Sequence, residues 1–113
     1  EADAIVMATP LYFFAMSAQL KMVFDRMFCL YKWDNAKGTM QTPLKGKTLV
    51  LIASAFEDEG LDALTAPFQL TAEYSGMKFD KLLIAHAGVS GEVVKHDAAR
   101  KQAIALGQRV AAA

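Results

Sequence analysis

Three short apolar runs punctuate the chain, and each is followed by a segment whose apolar residues recur at helical spacing. The runs cover residues 4–8 (Ala-Ile-Val-Met-Ala), 48–53 (Thr-Leu-Val-Leu-Ile-Ala) and 81–85 (Lys-Leu-Leu-Ile-Ala). They lack the polar alternation of a half-wet sheet, so each reads as a strand buried on both faces. Strands of that kind, alternating with helices, pair in parallel through crossovers and carry helices on both sides of the sheet. The sequence therefore predicts an α/β three-layer unit in the order β-α-β-α-β-α.

The helical segments are expected over residues 15–31, 61–75 and 95–112. In the first, Leu20, Phe24, Met27 and Tyr31 share one face, while Lys21, Asp25 and Arg26 lie off it. In the second, Leu64, Phe68 and Ala72 form the stripe, and Pro67 should kink the helix or mark its start. Gly76 suits the position just past its end. In the third the stripe is Ala99, Ala103, Leu106 and Val110, with Gly107 lowering propensity. Thr9-Pro10 is expected to end the first strand, since proline cannot donate to a ladder. Residues 32–47, with Asn35, Gly38, Pro43 and Gly46, read as a loop.

Composition narrows what such a unit does. Hydrophobic residues make up 54% of 113, which allows one domain with a modest core. The 12 basic and 12 acidic residues cancel, and no basic stripe offers a footprint for nucleic acid. No apolar run approaches the roughly 20 residues that span a bilayer. The single cysteine, Cys29, excludes an intrachain disulfide and a cysteine-based metal site, and it suits a reducing cytoplasm. No metal ligand set stands out.

In open parallel sheets, ligands bind beyond the carboxyl ends of the strands. Three loops qualify: residues 9–17, 54–60 and 86–94. The first differs from an ordinary short polar connection. Its residues are Thr9, Pro10, Leu11, Tyr12, Phe13, Phe14, Ala15, Met16 and Ser17, with three consecutive aromatics at a strand end. Such aromatics can stack on a flat heterocycle, and the backbone amides before the next helix can donate to its acceptors. The bland alternative is that the aromatics pack under a neighbouring helix or at a subunit interface.

The run from Ala2-Asp3-Ala4-Ile5 through Thr9-Pro10-Leu11-Tyr12 and Met16-Ser17-Ala18-Gln19-Leu20-Lys21, then Asp25-Arg26, resembles one protein group. This is the NADPH-dependent FMN reductase and iron–sulfur flavoprotein group of the flavodoxin superfamily. Leu44-Lys45-Gly46-Lys47, leading into the next strand, adds a second match. The resemblance implies a flavodoxin-like three-layer sandwich with a parallel sheet. Within it, Thr9, Pro10, Leu11, Tyr12, Phe13 and Phe14 would wrap the flavin ring of FMN, with Ser54, Ala55, Phe56 and Glu57 near its other side. The second loop departs from the family, which places glycines early where this chain has Gly60 late. The family's phosphate-gripping loop and first two strands would precede Glu1. On that expectation residues 1–113 are the C-terminal part of one domain, supplying strands three to five of a 2-1-3-4-5 sheet, and by itself this chain binds FMN weakly or not at all and is inactive.

The activity so implied is FMN-dependent transfer of hydride or electrons from NAD(P)H to a small acceptor such as a quinone or a flavin. No catalytic side chain is required, because the cofactor carries the chemistry. The family also implies a homodimer or higher homo-oligomer. Rival readings are a non-catalytic module that binds a protein through Tyr12–Phe14, and a flavodoxin-type electron carrier, for which no acidic cluster is evident. Singly, Cys29 reads as a core filler, His86 as a hydrogen-bonded structural residue near the ligand side, and His96 as solvated near a helix start. Glu57-Asp58-Glu59 reads as a wet loop, and Ser17 as a helix cap. Trp33 and Met40 are expected either to cover a flavin or to pack on a second subunit.

Overall fold

The computed structural model describes residues 1–113. Its strands and helices are β1 (Ala4–Pro10), α1 (Ala18–Arg26), β2 (Lys32–Asp34), β3 (Thr39–Gln41), β4 (Thr48–Ser54), α2 (Leu61–Ser75), β5 (Lys78–Ile84) and α3 (Asp97–Ala112). Short 3₁₀ turns follow α1 at Met27–Leu30 and precede α3 at Glu92–Lys95. The main sheet has the order β1-β4-β5, all parallel, and β2-β3 form a separate antiparallel ribbon. The β-α-β-α-β-α reading therefore holds, with β4 in the middle.

β4 earns the centre by its side chains. Leu49, Val50, Leu51 and Ala53 are all buried, alternating between two apolar clusters. One face of the sheet packs Leu49, Leu51 and Met7 against Leu64, Phe68 and Ala72 of α2. Phe24 of α1 joins this layer, its ring 5.1 Å from that of Phe68. The other face packs Val50 and Leu82 against Leu106 of α3, with Val110 alongside. Asp80 of β5 and Arg109 of α3 clasp this second layer through two hydrogen bonds, at 2.8 and 3.2 Å. The guanidinium's donated hydrogen bond lowers the Asp80 carboxyl below its ordinary value, and the carboxylate raises Arg109 in return.

Several boundaries differ from the sequence reading, each for a local reason. β1 runs on through Thr9-Pro10, because Pro10 pairs in register with Ser54 while its ring faces an edge with no partner strand. α1 starts at Ala18 rather than residue 15, where Ser17 Oγ accepts from the Leu20 amide at 3.3 Å. Residues 32–47 are not a plain loop but hold the β2-β3 ribbon, with Trp33 opposite Met40. β5 begins at Lys78, and α3 begins at Asp97 with His96 as its cap residue. Pro67 lies inside an unbroken α2. Gly76 ends that helix in the left-handed conformation, as expected.

Two burial expectations fail. β1 is not covered on both faces: Met7 and Thr9 are buried, whereas Val6 and Ala8 on the opposite face are exposed. Helix α3 sits over β4 and β5 and leaves that part of β1 open. Cys29 is not a core filler but is exposed, because it lies on the side of the segment opposite the Leu20, Phe24, Met27 and Tyr31 stripe.

Candidate functional site at the carboxyl ends of the strands

The carboxyl ends of β1, β4 and β5 bring the three expected loops to one end of the sheet. Backbone hydrogen bonds tie them together. The Leu11 amide donates to the Ser54 carbonyl, the Ala55 amide to the Ile84 carbonyl, and the Ala87 amide to the Ala55 carbonyl, each at 2.9 Å. The loops are thus seated on the sheet edge by extension of its own ladder.

The first loop contains a tight turn. Tyr12 and Ala15 exchange backbone hydrogen bonds of 3.0 and 3.1 Å, and the two residues between them, Phe13 and Phe14, have φ of 44° and 66°. Left-handed conformation at both central residues is the type I′ geometry, normally built from Asn and Gly. Bulky side chains there are strained by about 1–2 kcal/mol each. Phe13 is 99% exposed and Tyr12 61%. Strain and exposure together mean that neither packing nor propensity explains Phe13. The amides of exposed Phe13 and Phe14, and of buried Met16, have no protein acceptor. At Phe13 and Phe14 the loop therefore presents aromatic faces and free N–H donors side by side.

Phe14 leans onto the second loop. A Cβ at Gly60 would lie 2.2 Å from Phe14 Cδ1, so the ring occupies the space that any other residue at 60 would fill. Gly60 also has φ of 86°, which favours glycine on its own account. The same device joins the second loop to the third, where a Cβ at Gly88 would lie 2.3 Å from Phe56 Cδ2. Sequence reasoning missed both seats. The late Gly60 looked like a departure from pattern, yet it is where an aromatic of another loop rests.

The other expected site residues divide. Pro10 and Ser54 line a cleft of about 590 Å³ with Gly88 and Val94, on the α3 side of the sheet end. Leu11 packs on the core cluster and Ala55 is buried, so both shape the floor. Thr9 is buried, and its hydroxyl is spent within the protein: it donates to the Pro10 carbonyl and accepts from the Ser17 amide, both at 2.9 Å. Phe56 is exposed beside Glu57, Asp58, Glu59, His86 and Glu92, which line a second cleft of about 600 Å³. The acidic cluster not evident in sequence is therefore present, since Glu92 joins the 57–59 run only in space. His86 has φ of 55°, and its exposed imidazole places Nε2 3.4 Å from Asp58 Oδ2. Met40 lies near Tyr74 and Gly76 at the amino ends of the strands, so the ribbon does not cover this site.

Comparison with known proteins agrees with this geometry. A family model described as the flavodoxin-like fold matches residues 1–110. An FMN-dependent NADH-azoreductase from Bacillus anthracis str. Ames Ancestor, solved in complex with FMN, is similar in structure. Its TM-score is 0.70 at 16% identity, covering 96% of this chain and 57% of that one. A chain described as thermophilic tryptophan halogenase (Th-Hal) from Streptomycin violaceusniger is similar at TM-score 0.66 and 25% identity, covering 89% of this chain and 64% of that one. This chain thus spans less than two thirds of either relative's length. No curated protein matches it.

Proposed function

Since the chain belongs to the family of flavodoxin-like fold, we propose that it carries the ring-holding part of an FMN site and serves in electron transfer from NAD(P)H to a small acceptor. The observation that carries this reading is the Phe13-Phe14 turn: strained, exposed, and flanked by unpartnered amides. Tyr12, Phe13 and Phe14 offer faces for an isoalloxazine ring, and the amides of Phe13 and Phe14 match a ligand rich in carbonyl and ring-nitrogen acceptors. Thr9, Leu11 and Ala55 hold the floor beneath, with Pro10 and Ser54 at its margin and Phe56 on the far side. The bound flavin would supply the hydride and electron chemistry. The reading asks no side chain of the loops to act as an acid or base. Shielding by the aromatics would limit water at the ring. The similarity to an FMN-dependent NADH-azoreductase supports the cofactor and the NAD(P)H donor. Quinones, free flavins and other small planar molecules are the acceptor class proposed.

The test is titration with FMN and, separately, with lumiflavin, which has the ring but no phosphate. Quenching of flavin fluorescence by both, followed by bleaching of the bound flavin band on adding NADH or NADPH, is the expected result. No quenching by either would refute the reading.

The four carboxylates around the Phe56 cleft favour a second reading, a one-electron carrier that docks on a basic partner. In that case flavin binds but NAD(P)H does not bleach it. The exposed Phe13 would equally suit a non-catalytic module that grips a protein, in which case flavin does not bind at all.

A further inference from the structure

We propose that Thr9 is a positioning residue, whose hydroxyl holds the aromatic turn in its left-handed shape and does not itself contact the ligand. Its bearing on flavin affinity rests on the FMN reading above; its bearing on the loop's conformation does not. The side chain is 5% exposed, and the hydroxyl is engaged as both donor and acceptor inside the protein. Its bond to the Ser17 amide joins the two legs of the loop across eight residues, from the end of β1 to the cap of α1. Ser17 in turn fastens the helix start by accepting from the Leu20 amide. The Tyr12–Ala15 turn hangs inside this closed ring.

Backbone in a sparsely populated conformation persists only where its surroundings over-determine it. Three other contacts bear on the turn. Leu11 anchors the first leg to β4, buried Met16 anchors the second leg in the core, and Phe14 rests on Gly60. Outside the turn's own Tyr12–Ala15 pair, none of them links the legs to each other. The Thr9 hydroxyl does, so its removal loosens the second leg and lets Phe13 and Phe14 relax toward negative φ.

Valine has threonine's shape but neither donates nor accepts, whereas serine keeps the hydroxyl. The experiment is residue-resolved amide exchange on the full chain, wild type against Thr9→Val and Thr9→Ser, with FMN affinity measured on all three. In Thr9→Val the Tyr12, Ala15 and Ser17 amides should exchange at least about tenfold faster, as expected for a lost hydrogen bond, while Val50 and Leu51 in β4 stay at wild-type rates. Thr9→Ser should restore slow exchange. FMN affinity should fall about tenfold in Thr9→Val and recover in Thr9→Ser. Exchange at those three amides within about threefold of wild type in Thr9→Val overturns the proposal, as does a serine variant that behaves like valine. If wild type binds no flavin, the FMN reading fails, while the exchange data still decide the role of Thr9.

Discussion

Phe13 has no neighbour to lose and a backbone it does not favour. Replacing it with asparagine, which tolerates left-handed φ, should therefore stabilise the fold by on the order of 1 kcal/mol, seen as a rise of a few degrees in Tm. The same change should weaken flavin binding, since an aromatic face is gone. A variant both less stable and unimpaired in binding would show that the turn owes its shape to something other than ligand contact. Gly60→Ala runs the other way. The new Cβ meets Phe14 at 2.2 Å and inherits a φ of 86°, so stability should fall by about 1–2 kcal/mol and the aromatic loop should shift with it. Thermal melts and flavin titration of the same sample check both effects.

At the scale of elements, the sheet rests on β4 and α2. Phe68 is fully buried and touches Phe24, so Phe68→Ala should cost about 3–5 kcal/mol in a denaturant titration. The Asp80–Arg109 clasp makes β5–α3 docking sensitive to pH. The Asp80 carboxyl titrates lower when folded than its ordinary value of 3.8, so its contribution is present above that value and is lost as pH falls through the folded one. Acid unfolding should accordingly begin at higher pH in Arg109→Ala than in wild type, with the two variants differing by a constant offset near neutrality.

The elements were largely legible in the sequence, because apolar runs and helical spacing report burial directly. β4 and α2 were placed within a residue, and the aromatic loop was found as the unusual one. What the sequence hid depends on contacts between distant segments. The bond between the Thr9 hydroxyl and the Ser17 amide joins residues eight apart and leaves no mark in the sequence. Glu92 joined Glu57 and Glu59 only once the loops met. The β2-β3 ribbon was missed because its strands have three residues each, too few for alternation to register.

As a whole molecule the chain is a slab, 54 × 32 × 20 Å, with a radius of gyration of 15.5 Å. A compact chain of this length would have about 13 Å. The excess reflects a sheet covered fully on one face and partly on the other. The outer edge of β1 has unpaired backbone groups, and Val6 beside it is 56% exposed. An apolar edge of this kind is a template for pairing with another strand, and zero net charge does nothing to oppose it. Sedimentation should therefore find concentration-dependent association, and Val6→Lys should reduce it with little change in Tm. Association unaffected by the lysine would place the contact elsewhere.

The only tryptophan, Trp33, is 64% exposed on the two-stranded ribbon, outside the main sheet. A ribbon of that size is marginal by itself. Intrinsic emission from this protein consequently reports fraying of a peripheral clip, whereas circular dichroism reports the sheet and its helices. The two melting curves should separate, with the optical signal of the indole moving first, and their separation would reflect where the chromophore sits rather than a populated folding intermediate.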